Sequence, residues 1–346
     1  MTLPASGTIT LAQIQAEFGG SNPIGLSEYY RNGAYVTSNN TSVPTSGIIT
    51  VSNFYGATAQ FTYNITTNIQ QANLATILTN AGWDGVAPAV VTINAGLYIW
   101  SDSTSVGGLI ISSAFNNKLT LYNYGKIIGR GGNGATPPFS GNAGANGASG
   151  GPAIANSASS IVIYNQSGAY IAGGGGGGGS GKNYEGSGGG GGAGGGVGGN
   201  EYGNIDGGAG GAIGQTGGLA AFGTSSALEN QTAAGAGGAS GKWKDSGTTS
   251  WGRGGGGGGR ILPGVGGVNP GYTDEDVTNN AGANGGGGGS AGASGSPWHL
   301  KGGGGGGWGA SGGAGGNGSA GGAGGAAISG TAVTLTNSGT VYGSVS

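Results

Sequence analysis

Five uninterrupted glycine runs lie in the second half of the chain, and they constrain its fold more than any other feature. The runs are Gly173–Gly179, Gly188–Gly192, Gly254–Gly259, Gly285–Gly289 and Gly302–Gly307. Because glycine has no side chain to bury, such a run contributes only backbone hydrogen bonds and very close packing. Aromatic and charged residues fall between the runs, so any recognition must come from those intervening segments.

The overall composition argues against a disordered chain and against collagen. Glycine accounts for 94 of the 346 residues, charged residues are only 6%, and the formal net charge is −2. Disordered chains usually combine low hydrophobicity with high net charge. Collagen requires glycine at every third position and abundant proline, but here the glycines are consecutive and only 10 residues are proline. We therefore expect an ordered chain.

Several classes of function are disfavoured by what the chain lacks. It has no cysteine, which excludes disulfides, thiolate chemistry and cysteine-based metal sites. Its near-neutral charge argues against nucleic-acid binding, which needs clustered Lys and Arg. Residues 1–18 have no basic region or continuous apolar core, so we expect no secretory signal. No apolar stretch of 18 residues is present, so we expect no membrane insertion.

The first 58 residues contain an internal duplication. The segment from Pro4 to Leu11 (PASGTITL) is repeated from Pro44 to Val51 (PTSGIITV), and LSEYY at 26–30 resembles VSNFY at 51–55. Pro-x-Ser-Gly is typical of a turn that leads into a strand. The spacing of apolar residues over Leu11–Phe18 predicts a short helix that ends at Gly19. The duplication predicts a small module, which is either a simple cap or a domain that docks on a partner.

Residues 59–128 have an ordinary composition and predict one helix followed by short strands. Asn68–Ala81 places Ile69, Leu74, Ile77 and Leu78 on one helical face, and Gly82 ends the pattern. The strands are predicted from β-branched and aromatic residues at 89–93, 97–100, 109–112 and 119–122.

A repeat connects these strands to the glycine-rich region. Each copy has an alternating strand, an Asn, a Gly and a second short strand, and the three copies begin at Leu119, Ile161 and Val333. The alignment matches Ile127 of the first copy with Tyr170 of the second and Val341 of the third. Such units bury their apolar positions only against neighbouring rungs. The glycine-rich block would then be one long excursion from a rung stack to which the C-terminus returns.

The glycine runs are predicted to form packed extended helices rather than flexible linkers. A polyproline II helix has three residues per turn and rises about 3.1 Å per residue, so a six-residue run would span roughly 19 Å. Helices without side chains can pack side by side and hydrogen-bond laterally. Ordering glycine costs more than 1 kcal/mol per residue, so many such hydrogen bonds are required.

The segments between the runs hold the candidate binding residues, because Trp, Tyr and Arg dominate binding hot spots. Flat aromatic rings also stack on apolar sugar faces. The alternative is that these aromatic rings cover the exposed ends of the glycine helices, which is the interpretation we favour for Trp308. The candidate receptor-binding residues are Tyr184, Tyr202, Trp243, Trp251, Tyr272, Trp298 and His299.

Catalytic and metal-binding hypotheses have little support in the sequence. The single histidine, His299, excludes paired-histidine chemistry, and no nucleophile motif accompanies it. The acidic residues Asp274, Glu275 and Asp276 do not alternate as the ligands of a calcium loop do. Glycoside cleavage would need a carboxylate pair in a cleft, for which the 12 scattered acidic residues give no sign. We expect no enzyme activity, no cofactor and no metal ion.

Two parts of the sequence resemble proteins of tailed bacteriophages. PASGTITLAQIQAEFGGSNPIGLSEYY is similar to the N-terminal module of many phage tail proteins, and NLATILTNAGWDGVAPAVVTINAG with LTLYNYGKIIGRGGNG resembles glycine-rich tail-fibre proteins. These matches cover residues 1–135. The alternation of glycine runs and aromatic segments resembles tail-fibre tip adhesins, in which packed polyglycine helices display loops to the bacterial surface. That likeness is one of pattern, so it transfers no individual binding residue.

The resemblance implies a mainly β virion protein in four parts. Residues 1–58 would attach to other tail proteins, 59–172 would form a β-rich stalk, 173–330 would form a glycine-rich adhesin domain, and 331–346 would return to the stalk. The expected partner is a polysaccharide or outer-membrane protein of the host, and the expected locations are the virion tail and, during assembly, the host cytoplasm. A homotrimer and a single-chain fold stay open, as does a purely structural tail component without host contact.

Overall fold

The computed structural model describes residues 3–38, 40–136, 144–181, 286, 289–295, 302–316, 318–330 and 333–346. Strands dominate the described part and helices are few, which confirms the prediction of a mainly β chain. All strand pairs are parallel. No described helix is long and apolar enough to cross a membrane.

In the described part of the chain, fourteen strands form three parallel sheets. Each turn adds one strand to each sheet in order, except that the last turn adds none to the third sheet. Sheet 1 contains β1 (Phe61–Ile65), β4 (Ala89–Ile93), β7 (Leu119–Asn123), β10 (Val162–Asn165) and β13 (Thr334–Asn337). Sheet 2 contains β2 (Ile69–Gln70), β5 (Tyr98–Trp100), β8 (Lys126–Ile128), β11 (Tyr170–Ala172) and β14 (Thr340–Tyr342). Sheet 3 contains β3 (Ala72–Asn73), β6 (Leu109–Ile111), β9 (Ile154–Asn156) and β12 (Ile328–Gly330).

This arrangement is a solenoid of stacked rungs, in which the first rung is β1 to β3 and the last contains β13 and β14. Alternate residues of each strand point inward, and in successive rungs they form columns of aliphatic side chains. One column contains Val91, Leu121 and Ile163, all fully buried. Burying a side chain of this size stabilises a fold by about 1.5–3 kcal/mol. The apolar core of the solenoid therefore depends on rungs that stay in register.

The helix predicted over Asn68–Ala81 begins later than the sequence pattern indicated. Helix α2 spans Leu74–Asn80, and the residues before it form β2 and β3, which pair with the next rung. Gln71 takes a left-handed φ of 49° between these two strands. The Asn73 side chain then caps the helix by accepting from the Thr76 amide at 3.2 Å. Parallel pairing with β5 and β6 therefore replaces the first turn that helical periodicity predicted.

The rung alignment drawn from the sequence was wrong by one residue in the second copy. Ile127 and Val341 both pair with Ile171, whereas the sequence alignment matched them with Tyr170. The connection after Asn165 is longer in this copy and turns at Gly168, which has a φ of 81°. The two extra residues keep Ile171 in the core, where it is fully buried, and turn Tyr170 outward.

Residues 3–59 form a module with its own core, built around Ile14, Tyr29 and Phe54, all fully buried. Helix α1 spans Leu11–Phe18, and two 3₁₀ helices span Leu26–Tyr29 and Val51–Phe54. The hydroxyl of Tyr29 donates to the Gly19 carbonyl at 2.7 Å. Burial, assisted by the neighbouring Glu28 carboxylate, raises the pKa of Tyr29 and keeps that hydroxyl protonated.

The sequence duplication corresponds to a reciprocal exchange of contacts inside this module. The Tyr30 hydroxyl donates to the Gly47 carbonyl, and the Tyr55 hydroxyl donates to the Gly7 carbonyl. The backbone repeats the exchange, because the amide of Arg31 donates to Pro44 and that of Gly56 to Pro4, both at 3.0 Å. Each repeated Pro-x-Ser-Gly turn is therefore held by the aromatic segment of the other repeat.

A ladder of asparagine side chains crosses the last three rungs of sheet 1. Asn123, Asn165 and Asn337 occupy the same register. The side-chain amide of Asn123 donates to the Asn165 oxygen at 2.8 Å, and that of Asn165 donates to the Asn337 oxygen at 2.8 Å. Asn123 and Asn165 are buried. The ladder therefore satisfies polar groups that would otherwise be costly inside the core.

Replacing the middle amide of this ladder is expected to destabilise the solenoid. Asn165→Ala removes the three side-chain hydrogen bonds that Asn165 makes with Asn123, Asn337 and the Thr340 carbonyl. It leaves one buried N–H of Asn123 without its acceptor, which costs about 1–3 kcal/mol. Urea unfolding followed by far-ultraviolet circular dichroism measures the change. The exposed neighbour Ser167 provides the control, since Ser167→Ala should leave the unfolding midpoint unchanged. Equal midpoints for the two variants would contradict a structural role for the ladder.

Candidate functional site

The glycine-rich segments gather into one array beside the solenoid. The array contains residues 129–136, 144–152, 173–181, 289–295, 302–316 and 318–327. It leaves the solenoid at the same corner in two neighbouring rungs, between β8 and β9 and between β11 and β12. The amide of Gly129 donates to Ala172 and that of Gly173 donates to Tyr342, so the pairing of sheet 2 continues directly into the array.

Segment 173–181 lies at the centre of the array and bonds to its neighbours at every third residue. On one side of the segment, the amides of Gly174, Gly177 and Ser180 donate at 2.9–3.0 Å to the carbonyls of Gly151, Ala148 and Ala145, respectively. Amides on a second side donate in the pairs Gly176 to Ala310 and Gly179 to Gly313. The carbonyls of the segment also accept hydrogen bonds. Those of Gly175, Gly178, Gly176 and Gly177 accept from the amides of Gly132, Ala135, Gly306 and Gly322, respectively. The segment therefore has neighbours on all of its sides.

This close surrounding explains why the central run contains no other residue type. A Cβ atom added at Gly174, Gly175 or Gly176 would lie 1.8–2.0 Å from a carbonyl oxygen of a different neighbouring segment. Such a contact is far shorter than any van der Waals distance. A side chain at any of these three positions would push the segments apart.

Outer segments need glycine only on the side that faces the array. In segment 144–150 the glycines Gly144, Gly147 and Gly150 are partly buried, and a Cβ atom on any of them would strike a neighbour. Between them, Ala145 and Ala148 are exposed. The uninterrupted glycine run of segment 173–181 therefore corresponds to a central position in the array, and the interrupted glycines of segment 144–150 correspond to an outer position.

Five ends of the described glycine segments lie together on the side of the array that is away from the solenoid. Hydrogen bonds join Ala135 to Gly178, Ser180 to Ala145, Gly303 to Gly179 and Gly295 to Ala314. These five ends, at Thr136, Gly144, Gly181, Gly295 and Gly302, adjoin these hydrogen bonds.

At the opposite end of the array, the Trp308 side chain packs against the outer face of sheet 2. Its side chain is 1% exposed and packs on Ile128 and Ala172. Its ring lies 5.9 Å from that of Tyr170 and 6.3 Å from that of Tyr342. The structural interpretation of Trp308 is therefore supported, although the ring fills the junction with the solenoid rather than an exposed end.

Other aromatic residues of this face were not singled out from the sequence. Tyr98 and Trp100 are partly buried beside Trp308. The Lys126 ammonium donates to the Tyr98 hydroxyl at 3.1 Å and lies 4.8 Å from the ring centre. The available signal was the alternation of aromatic and aliphatic residues in β5 and β11, which places one set of side chains outside the core.

The seven candidate receptor-binding residues all lie outside the described residues. This applies to Tyr184, Tyr202, Trp243, Trp251, Tyr272, Trp298 and His299, and also to the acidic residues 274–276. Their assignment stays a prediction. In the part of the chain that the structure describes, no group of three or more His, Cys, Asp or Glu residues could hold a metal ion.

Comparisons with known proteins point to phage tail fibres. The family model "Phage tail fibre adhesin Gp38" matches residues 60–252, which is more than half of the chain. A chain in the crystal structure of the gp37–gp38 adhesin tip complex of the bacteriophage S16 long tail fibre is 22% identical and has a TM-score of 0.42. The match covers 89% of this chain and 90% of that one, but so low a TM-score carries no argument. No curated protein sequence matches the chain.

A single methyl group in the centre of the array is expected to disrupt it. Gly177→Ala would place a Cβ atom 1.9 Å from the Asn133 carbonyl oxygen, so at least one segment must move. We expect faster amide hydrogen exchange in 144–151 and 302–325 and little change in β4 and β7, measured by mass spectrometry. Ala148→Ser enlarges an exposed position of the same array and should preserve the protection. Unchanged exchange in Gly177→Ala would contradict the packing described above.

Proposed function

Because the chain belongs to the family of phage tail fibre adhesins, we propose that it binds a host-cell receptor through aromatic loops displayed by the glycine array. The observation that carries this proposal is that five ends of the described glycine segments lie together on the side of the array away from the solenoid. Gly181 precedes Tyr184 by three residues, and Gly295 precedes Trp298 by three. Loops that start from one end of a rigid support can act on the same target surface.

The array supplies the rigidity that such loops require. Hydrogen bonds at every third residue are those expected of extended helices with three residues per turn, as in polyproline II. No glycine of segment 173–181 has a positive φ, which agrees with that conformation. Because many short segments are joined laterally, the ends move together as one body. Rigid presentation lowers the entropic cost of receptor binding.

The proposed contact residues are Tyr184, Tyr202, Trp243, Trp251, Tyr272, Trp298 and His299. Their aromatic rings offer large contact areas and few rotatable bonds, and Lys242, Lys244 and Arg253 add charge beside the tryptophans. This chemistry suits a polysaccharide, through stacking on sugar faces, and equally an outer-membrane protein. The proposal is one of binding without catalysis.

Residues 1–58 are proposed to attach the adhesin to another protein of the tail fibre. Residues 3–59 pack around a core of their own, separate from the core of the solenoid. The Ser38 hydroxyl donates to the Gly82 carbonyl at 2.6 Å, which places the module beside the end of α2. The described surface of the module exposes Ile48 at 89% and Tyr55 at 38%. Large exposed apolar side chains favour docking on a partner.

The aromatic-loop proposal predicts that three tryptophans dominate host adsorption. Replacing Trp243, Trp251 and Trp298 together by alanine should reduce adsorption at least tenfold, because hot-spot aromatics contribute about 2 kcal/mol or more each. The measurement is the adsorption rate of phage carrying the variant. Tyr124→Ala removes an aromatic ring that is 43% exposed on the solenoid and should leave adsorption intact. Normal adsorption of the triple variant would favour a purely structural tail component.

Deletion of residues 1–58 is expected to separate attachment from host binding. The shortened chain should be missing from purified virions in immunoblots, because its proposed contact with the fibre is gone. The same chain, purified as a soluble protein, should still bind host cells. A shortened adhesin that is incorporated at the normal level would show that attachment lies elsewhere.

A further inference from the structure

The last rung of the solenoid presents an open sheet edge. Among the described residues, strands β13 and β14 each have a hydrogen-bonded neighbour on one side only. The third side of this rung is completed by Val345, which bridges to Ile328 in parallel. The Thr334 amide donates inward to Ile161 at 3.0 Å. Because adjacent residues of a strand bond to opposite neighbours, the amide and carbonyl of Leu335 face the free side.

The asparagine ladder also ends at this rung, and its side-chain amides donate toward the later rung of the stack. Each amide donates to the next asparagine and also to a carbonyl of the next rung, at 3.2 Å from Asn123 to Tyr170 and at 3.2 Å from Asn165 to Thr340. The Asn337 oxygen accepts from Asn165 and from the Gly339 amide. Its own amide group has no acceptor among the described residues. It therefore offers donors to one further strand.

The edge lacks the features that usually prevent strands from pairing there. Native edges are commonly protected by charged residues, proline or bulges. Residues 333–346 contain no charged residue and no proline. Leu335 and Val341 are only partly buried, although the equivalent Ile163 and Ile171 are fully buried, and Val345 is 44% exposed. An incoming strand would cover this aliphatic surface.

The position of the last rung relative to the N-terminal module indicates which kind of molecule can bind at its edge. The N-terminal module contacts Gly82, which directly follows the first rung and α2. The last rung lies four strand spacings from the first, or about 19 Å along the stack. An adhesin held by its N-terminal module would therefore have this edge free rather than buried in the fibre.

We propose that the last rung binds an extended segment of a host surface protein, which pairs in parallel with β13. This inference rests on the proposed function and adds a second receptor contact of defined class. The open edge recognises a regular row of amides and carbonyls, which an extended polypeptide has and a polysaccharide lacks. The Asn337 amide would donate to a carbonyl of the bound segment, and Leu335 and Val341 would become buried, as in other cases of strand addition.

A matched pair of variants tests the proposal in the full-length chain. Asn337→Asp keeps the oxygen that accepts from Asn165 and Gly339 but replaces the outward donor by a carboxylate oxygen that repels a carbonyl. Thr336→Asp adds the same charge at the neighbouring exposed position, which points to the outer face of the sheet. The probe is outer-membrane vesicles from the plating host, untreated or digested with proteinase K. Binding is measured by surface plasmon resonance, and circular dichroism verifies folding.

We expect Asn337→Asp to bind untreated vesicles at least tenfold more weakly than the wild type and Thr336→Asp to bind normally. Digestion of the vesicles should remove the difference between the wild type and Asn337→Asp. Equal binding by both variants, or a difference that survives digestion, would overturn the strand-addition proposal while leaving the aromatic-loop proposal intact. Loss of Asn337→Asp from virions without loss of vesicle binding would overturn it in favour of a fibre contact. A folded wild-type chain that binds no vesicles would refute the proposed function itself.

Discussion

Contact between backbones without intervening side chains is the constraint on which the glycine array depends. Ordering each residue costs about 1–2 kcal/mol of backbone entropy, and glycine loses more than other residues. A backbone hydrogen bond returns only about 1 kcal/mol net. The array therefore needs support from outside, which it receives from the strands that flank it and from Trp308 at its base. The solenoid and the array are consequently one mechanical unit.

The solenoid and the glycine array are stabilised by different interactions. The solenoid is stabilised by aliphatic columns and by the asparagine ladder, which tolerate varied residues on the outer faces. The array is stabilised by close contact between backbones. A Cβ atom would clash at Gly173, Gly174, Gly175, Gly176, Gly177 and Gly179, whereas outer positions such as Ala145 carry a side chain. Variation that changes host recognition is therefore expected in the segments between glycine runs.

Part of this fold could be predicted from the sequence, because local patterns determine it. β-Branched runs predicted β4 at Ala89–Ile93 at its observed bounds, and apolar spacing predicted helix α1 at Leu11–Phe18, ending at Gly19. The start of α2 could not be predicted, because pairing with distant strands decided the conformation of residues 69–73. The match of Ile171 with Ile127 depended on the length of a turn, which periodicity does not report. The reciprocal contacts of Tyr30 and Tyr55 join segments far apart in sequence, and the candidate binding loops stay predictions.

Binding of the purified full-length chain to whole host cells, in competition with intact phage, is the most direct test of the central claim. A receptor-binding adhesin should bind saturably and should block phage adsorption over the same concentration range. A correctly folded chain that shows no saturable binding, or that binds without affecting adsorption, would contradict the account. The glycine array would then have to be explained as a packing element inside the tail.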